Sequence, residues 1–331
     1  MVASASLRQV PAEKSVQSLH SFSKTWAQRY VRQVNDRRIL ESALYQAPLS
    51  RERLAEQMIQ SLRTISARAW SKTEALLAKE IVNHQLSQDL IDPWAIAEDV
   101  YHVYVQALNS YGEALPSERF AIEIAQQLGR IRQKYTAVDP RVIAFVSMQF
   151  HYTGQLLLET LSPPHRARLQ LFFKAIDDHL YMPLHRAYDA AANYDYRDIE
   201  LQSVRCLLPE SSRIAKQIVN QVHQAFHNHR CYSGPLNDLT VQAASIRDVE
   251  MFQAYLWVCI LERNIHSVQQ ELFPLCVMLY PTLNVSWSMV RRMLNHLDSS
   301  VHRLLTPEQW QVCAPYLGAM HQIFSAEVFE A

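Results

Sequence analysis

The sequence predicts an all-α protein, because glycine is scarce and apolar residues recur at helical spacing. Only five glycines occur in 331 residues, too few for a chain of tight hairpins, which need residues with positive φ. Phe120, Ile124, Leu128, Ile131 and Tyr135 recur at steps of three and four, so they share one face of a helix. Both observations favour helix along the whole chain.

Two helix starts carry their own capping residues. Asp139 precedes Pro140, and Thr306 precedes Pro307 with Gln309 further on. Each pair supplies a side-chain acceptor at the N-cap and a preset φ at the first helical position. Together with the apolar spacing, these signals predict helices at about 16–34, 50–87, 93–113, 117–135, 140–161, 165–192, 204–229, 240–262, 265–280, 285–303 and 307–325.

The chain length favours two domains over one. The polar, tyrosine-bearing stretch at 191–200 interrupts the apolar pattern and is the candidate linker. We therefore predict a flexible tail over 1–15, an all-helical domain over 16–195 and a second domain over 204–329.

Composition excludes several classes of protein. Apolar residues make up 49% and charged residues 19%, with 32 basic and 32 acidic side chains, so the chain is globular and has no net field for nucleic acid. The longest apolar stretch, Met251 to Leu261, is shorter than the roughly 20 residues of a membrane-spanning helix. The first 15 residues have no signal-peptide core, so we expect a cytoplasmic protein. Its five cysteines form no C-x-x-C pair, so we expect reduced thiols.

No complete catalytic motif occurs. No two glycines lie close enough for a phosphate-binding loop or a nucleophile elbow, and the Glu-x-x-His spacing of di-iron bundles is absent. Asp99 and His102 give a single, weaker approximation that we interpret as a surface pair. The sequence therefore indicates a protein that is not an enzyme.

The densest group of metal-ligand types is His223, His227, His229 and Cys231. Three of them would share a face if the helix continued to 231, and they are competent zinc or haem ligands. The interpretation we favour is that these imidazoles close a helix near its negative end, because a fourth zinc ligand is not visible. We predict no metal site.

A second polar cluster, Asp177, Asp178 and His179, could support acid–base chemistry. Adjacent helical positions point in different directions. We favour the alternative that the cluster is a polar segment on an otherwise apolar helix.

The segment AASIRDVEMFQAYLWVCILERN at 243–264 is similar to the part of phycobiliproteins in which a cysteine, a spacer, arginine and aspartate precede an aromatic-rich helix. The resemblance covers about Val204 to Phe324 and implies a globin-like fold. It implies that Arg247 would contact a bilin propionate and that Asp248 would accept hydrogen bonds from the pyrrole nitrogens. The cysteine that carries the pigment falls on Ser245, so covalent attachment is not expected there.

Two further features extend the resemblance. LYPTLNVSWSMV at 279–290 resembles the family's turn into its next helix, with Trp287 where an aromatic side chain lines the bilin pocket. Cys313 lies near the second attachment site of some subunits, but its spacing differs, and we interpret it as a small buried thiol. The segment 134–161 resembles a pair of globin helices, so a second, divergent globin-like unit is one option for the domain over 16–195. Tyr135 stands where a haem globin would hold its iron-ligating histidine, so this resemblance does not predict haem.

The resemblance implies a phycobiliprotein-related protein without a covalent pigment, acting as an interaction, assembly or regulatory factor at the phycobilisome of a cyanobacterium. Its partners would be phycobiliproteins, antenna linkers or regulatory proteins, with a homo-oligomer as a further option, in the cytoplasm or at the cytoplasmic face of thylakoids. The alternative is a sensor or carrier that binds a bilin non-covalently, and an enzyme of tetrapyrrole metabolism is the third choice. Without pigment, we expect Arg247 and Asp248 to form a structural ion pair, with Phe252, Tyr255 and Trp287 closing over the vacated space.

Overall fold

The structure, a computed structural model, describes residues 12–35 and 50–329. Within that part of the chain it is built almost entirely of helices: α1 Ala12–Asn35, α2 Arg51–Asn83, α3 Pro93–Gly112, α4 Ser117–Thr136, α5 Ile143–Glu159, α6 Pro163–Tyr181, α7 Leu184–Ala191, α8 Ile199–Leu207, α9 Ser211–Ala225, α10 Leu239–Glu262, α11 Phe273–Thr282, α12 Trp287–Leu304, α13 Pro307–Ile323 and α14 Ala326–Phe329. Short 3₁₀ turns lie at Gln88–Leu90, Pro140–Val142 and Leu208–Glu210, and a π-helical turn at Val268–Leu272. The predicted all-α class is confirmed.

The chain divides into two compact units. Among the described residues, the N-terminal unit comprises 30–35, 50–182 and 274–282, and the C-terminal unit comprises 12–29, 183–273 and 283–329. The boundary between them in sequence follows Met182, whose extended backbone (φ −109°, ψ 142°) ends α6. Pro183 follows Met182 and disfavours helical backbone in the residue before it.

The N-terminal unit is held by α2, α3, α5 and α6, which pack against one another. The Gln149 side-chain nitrogen on α5 donates to both the carbonyl and the hydroxyl of Ser66 on α2, each at 2.9 Å. The Tyr104 hydroxyl on α3 donates to the Phe150 carbonyl at 2.7 Å. These buried bonds fix α5 against its two neighbours, because an unpartnered polar group in such a core is costly.

The C-terminal unit is built around α10, in which every residue from 249 to 261 is buried. α10 packs against α7, α8, α9, α13 and the π-helical turn. Its two buried polar side chains are satisfied on α9: Glu250 accepts from the Ser212 hydroxyl at 2.6 Å, and Gln253 donates to the Ser211 carbonyl at 3.1 Å. The apolar run that marks this stretch in the sequence is therefore the core of a globular unit.

One arginine joins three elements of the C-terminal unit. Arg186 on α7 binds Glu262 at the end of α10 through two parallel bonds of 2.5 and 2.6 Å, and it reaches Glu271 in the π-helical turn at 2.5 Å. The Tyr255 hydroxyl donates to the other oxygen of Glu271 at 3.3 Å. Bidentate pairs of this kind are stronger and more directional than neutral hydrogen bonds.

Most predicted helices are present within a few residues of their predicted limits, and two were predicted as too continuous. The helix expected at 165–192 is broken before Pro183, and the one expected at 204–229 contains the Leu208–Glu210 3₁₀ turn and ends at Ala225. A two-stranded hairpin follows, with β1 Arg230–Cys231 paired to β2 Gly234–Pro235. Gly234 supplies the positive φ of 143° that its backbone needs there, so the expectation of helix throughout was wrong at this point.

In the described ranges, no helix combines the length and the apolar character that crossing a bilayer requires. Helix α1 begins at Ala12, and the remainder of the predicted tail over 1–15 lies outside the described residues.

Two helical glycines give a matched test of this packing. A Cβ at Gly154 would lie 2.6 Å from the buried Tyr104 hydroxyl, whereas a Cβ at Gly318 would meet nothing within 4 Å. Gly154→Ala should therefore lower the free energy of unfolding by about 1–3 kcal/mol through overpacking, and Gly318→Ala should raise it by about 0.5–1 kcal/mol through its helix propensity. Urea unfolding followed by circular dichroism measures both, and equal effects of the two substitutions would contradict the packing around Tyr104.

Candidate functional site

The candidate site surrounds Ser245, in the first half of α10. The helix begins at Leu239 because Asp238 caps it, accepting from the Thr240 amide at 2.7 Å. The Ser245 hydroxyl is 3.1 Å from Nε2 of His223 on α9. Burial lowers the pKa of His223, opposed by a hydrogen bond to the backbone of Leu236, so the imidazole is neutral at pH 7. Where the resemblance implies a reactive thiol, the structure has a hydroxyl hydrogen-bonded to a neutral imidazole.

A serine beside a histidine also occurs in hydrolase active sites. Among the described residues, however, no third side chain is bonded to His223. A nucleophilic serine needs a base that is oriented by a third group and a set of donors for the oxyanion. His223 is oriented by a backbone group, and Ser245 lies within a regular helix whose amides are used in the helix itself. The arrangement is that of a structural hydrogen bond between α9 and α10.

The hairpin lies against the turn that precedes α12. The Tyr232 amide donates to the Leu283 carbonyl at 2.9 Å, and the Asn284 side chain donates to the Arg230 carbonyl at 2.5 Å. His229 donates in return from Nε2 to the Asn284 carbonyl at 2.6 Å. Asn284 has φ 54°, a left-handed conformation that asparagine tolerates better than most residues. These three bonds hold the hairpin in one position at the edge of the site.

Asp248 is the electrostatic centre of the site. The carboxylate is half-buried, and burial raises its pKa to about 6, while the positive charge of neighbouring Arg247 lowers it by a smaller amount. The structural ion pair expected between these two residues stays a prediction, and at Asp248 the effect of burial on the pKa exceeds that of Arg247. On the hairpin, burial and the negative charge of Asp248 both raise the pKa of the Cys231 thiol. Cys231 is therefore a weak nucleophile at neutral pH.

Trp287 lies in an aromatic cluster at the start of α12. Ser286 caps this helix, accepting from the Met289 amide at 3.4 Å, and the Trp287 ring stacks on Phe329 with centroids 3.9 Å apart. Phe324 lies between Trp287 and Phe252, at 6.3 and 5.3 Å. Phe252 and Trp287 thus both contact the Phe324 ring, whereas the Tyr255 hydroxyl donates to Glu271, the carboxylate that Arg186 also binds. The closure of these side chains over a vacated pigment site stays a prediction.

The histidine cluster near the end of α9 is dispersed. Because α9 ends at Ala225, His223 and Cys231 do not share a helix face, and His223 and His229 bind Ser245 and Asn284 instead. Nowhere in the described residues do three or more histidine, cysteine or acidic side chains gather in a way that could hold a metal ion.

The Asp177–His179 segment of α6 is divided among three different partners. Asp177 pairs with Nδ1 of His151 at 2.8 Å, Asp178 accepts from Lys174 at 2.7 and 2.9 Å, and Nδ1 of His179 lies 2.9 Å from the Ala175 carbonyl. Asp178 and His179 are buried. The segment is therefore a polar part of the core.

Asp99 and Tyr135, which the sequence analysis also considered, are hydrogen-bonded to each other. Asp99 accepts from the Tyr135 hydroxyl at 2.7 Å and from Lys134 at 3.0 Å. Tyr135 thus binds a carboxylate, and both its burial and this bond raise its pKa. The interpretation of Asp99 with His102 as a surface pair overlooked this bond between helices, since Asp99 and Tyr135 are 36 residues apart.

Cys313 is fully buried on α13, and burial raises the pKa of its thiol to about 12. A thiol in this state is neither exposed nor ionised, so it is a poor nucleophile. This agrees with its interpretation as a small buried side chain.

These features belong to a helical, globin-like region of the chain. The family described as phycobilisome protein has a model that matches residues 173–323. The match begins within α6 and ends with α13 at Ile323, so it starts about 30 residues earlier than the resemblance drawn from the sequence, which began near Val204. No curated protein and no solved structure matches the chain.

The raised pKa of Asp248 predicts how stability depends on pH. The folded state holds this proton up to about pH 6, whereas an unfolded aspartate releases it near pH 4. The stability that protonated Asp248 contributes is therefore fully present below about pH 4 and is lost as the pH rises through 6. Asp248→Asn should raise the free energy of unfolding at pH 7.5 by about 1–2 kcal/mol, a value that is reduced because the side chain is partly exposed. It should also make the free energy of unfolding depend less on pH between pH 4 and 7.

Urea unfolding at several pH values measures this, with Glu327→Gln, at an exposed carboxylate, as the matched control. If Asp248→Asn is less stable than the wild type at pH 7.5, the result would instead support the expected structural ion pair of Asp248 with Arg247.

Proposed function

We propose that this protein is a phycobiliprotein-related factor that carries no covalent bilin and acts through interaction with phycobilisome components, as an assembly or regulatory protein. The family match over 173–323 supports the relation to phycobilisome proteins. The observation that carries the absence of covalent pigment is the serine at position 245, because a hydroxyl has no sulfur with which to form the thioether. In the structure this hydroxyl is 3.1 Å from Nε2 of His223. On this proposal the protein is not an enzyme and is located with the phycobilisome, in the cytoplasm or at the cytoplasmic face of thylakoids.

The thiols give further support to this proposal. Cys231 is near enough to Asp248 for their charges to interact, but burial and that carboxylate both raise its pKa. Cys313 is buried and its pKa is raised to about 12. Cys231 and Cys313, the latter near the family's second attachment position, are therefore both weak nucleophiles at neutral pH.

A second candidate function, a non-covalent bilin sensor or carrier, is favoured by Asp248. A half-buried carboxylate whose pKa is raised to about 6 is not fully compensated by Arg247, and the pyrrole nitrogens of a bilin would donate to it. Charge-assisted hydrogen bonds of this kind favour the ionised carboxylate. Arg247, Asp248 and Trp287 are the residues that we assign to this binding, with no cofactor required for the leading function.

The pigment content of the protein separates these possibilities. Protein purified from a bilin-producing cyanobacterial host should be colourless, both before and after denaturation in acidic urea, and should give no band in zinc-enhanced gel fluorescence. Colour that disappears on denaturation and is reduced in Asp248→Asn would favour the second candidate. A fluorescent band that survives denaturation would contradict the proposal, and its loss in Cys231→Ala or Cys313→Ala would identify the thiol responsible.

Exposed apolar residues of the family-matched region form the proposed surface for a protein partner. Tyr232 at the hairpin turn is 64% exposed and Leu239 at the start of α10 is 81% exposed. Both are carried by backbone that is fixed by the hairpin bonds and the Asp238 cap. Exposed apolar side chains on rigid supports are suited to binding a partner without a large loss of entropy.

Binding to purified phycobiliprotein trimers tests the interaction. The wild-type chain should bind saturably in sedimentation velocity, and Tyr232→Glu with Leu239→Glu should weaken the affinity by about tenfold or more, since buried charge at an interface is costly. Trp94→Glu with Val138→Glu, at positions 86% and 77% exposed in the N-terminal unit, is the matched control and should have no effect. Equal loss in both variants would exclude the hairpin as the contact surface, and no binding of the wild type would contradict phycobiliproteins as partners.

A further inference from the structure

The N-terminal unit contains a cavity of about 260 Å³ that the proposed function does not use. It lies where the start of α2, the end of α3, the start of α4 and the middle of α6 meet. The residues on which its chemistry depends are Arg51, Tyr111, Leu115, Glu118, Arg168 and Phe172.

Two guanidinium groups, those of Arg51 and Arg168, line this cavity. The Arg51 guanidinium lies 5.8 Å from the centroid of the Tyr111 ring. Neither Arg51 nor Arg168 forms an ion pair with any residue of the described ranges. Burial and the charge of Arg51 both lower the pKa of Arg168, as expected for two like charges that share a partly buried space.

A buried pair fixes one wall of the cavity and adds no negative charge to it. The Tyr111 hydroxyl lies 2.6 Å from Nδ1 of His165. Burial, then Arg168 and Arg51, lower the pKa of His165, so the imidazole is neutral at pH 7. The two arginines are therefore not balanced from this side.

Glu118 is the acidic residue in the lining, and it balances only one of the two charges. Its carboxylate accepts from the Ser117 hydroxyl at 3.3 Å and makes no ion pair within the described part of the chain. With two arginines and one glutamate, the described residues of the lining carry one net positive charge. Much of the remaining wall is apolar, formed by Val31, Ala114, Leu115, Pro116, Leu171 and Phe172.

We propose that this cavity binds a small organic carboxylate with an apolar body. Guanidinium groups match carboxylates in geometry and charge, and one net positive charge suits a monoanion. The volume is below the roughly 300–1,000 Å³ of pockets for drug-sized ligands, which limits the ligand to about the size of one substituted ring. The apolar wall and the Phe172 ring then contact the body of the ligand, while the arginines bind its carboxylate.

Isothermal titration with benzoate tests the site directly on the full chain. Benzoate should bind saturably with a stoichiometry of one, whereas benzamide, its neutral analogue, and inorganic phosphate, an anion without an apolar body, should bind at least about tenfold more weakly. Equal binding of benzamide would overturn the assignment of a carboxylate, and equal binding of phosphate would overturn the apolar half of the proposal. No saturable binding of benzoate would overturn it altogether.

Three variants link the binding to this cavity. Arg51→Gln and Arg168→Gln should each weaken benzoate binding by about tenfold, because a charged hydrogen bond is lost, and Glu118→Gln should strengthen it by a few fold. Arg53→Gln, an exposed arginine two residues from Arg51, is the matched control and should leave the affinity unchanged. The opposite sign expected for Glu118→Gln keeps the test decisive if an arginine variant fails to fold, and weaker binding in Glu118→Gln would refute the electrostatic basis of the site.

Discussion

The C-terminal unit depends on one constraint: the middle of α10 is buried on every side. A helix that is apolar all round has no face for solvent and must be enclosed by other elements, and α7, α8, α9, α13 and the π-helical turn surround it. The few polar groups on α10 then determine the register of its neighbours, because a buried polar group must find a partner. Glu250 and Gln253 fix α9 in this way, and Glu262 at the end of the helix fixes α7 through Arg186.

The structure uses charge in two contrasting ways. Arg186 faces two glutamates with short, directional bonds, so its charge is compensated and serves the fold. At Asp248 and Arg168, by contrast, burial disfavours the charged form, because it raises the pKa of the aspartate and lowers that of the arginine. The equal totals of acidic and basic residues conceal this difference, because net charge says nothing about which individual charges are left without a full partner.

The sequence predicted the parts of the fold that depend on local signals. Glycine scarcity, apolar spacing and the caps at Asp139 and Thr306 each act within a few residues of their position, and helical structure begins after both caps. The breaks at Pro183 and around Pro209 also have local causes, but continuous apolar patterning masked them. The hairpin at 230–235 depends on bonds to residues 283 and 284, which lie about 50 positions away and leave no local signal.

The candidate site shows the same limit. The sequence resemblance identified Arg247, Asp248 and Ser245 through their spacing along one helix. It could not predict that His223 would bind Ser245 across 22 residues, or that burial would outweigh Arg247 at Asp248. Both outcomes depend on how α9 packs against α10, and the apolar pattern of each helix taken alone does not determine that packing. The cavity at Arg51 and Arg168 likewise joins residues 117 positions apart.

The incomplete compensation of Asp248 bears on the choice between the two functions. Above pH 6 the ionised form of Asp248 is less favourable in the folded chain than in the unfolded chain, so it lowers the stability of its unit. Residues that lower stability in this way are typically found at functional sites. A cation or a set of N–H donors from outside the unit would remove this deficit. The pyrrole nitrogens of a bilin meet that requirement, and so does a lysine or arginine of a protein partner. Under either proposed function Asp248 would gain such a counterpart, and the colour of the purified protein distinguishes a pigment from a protein in that role.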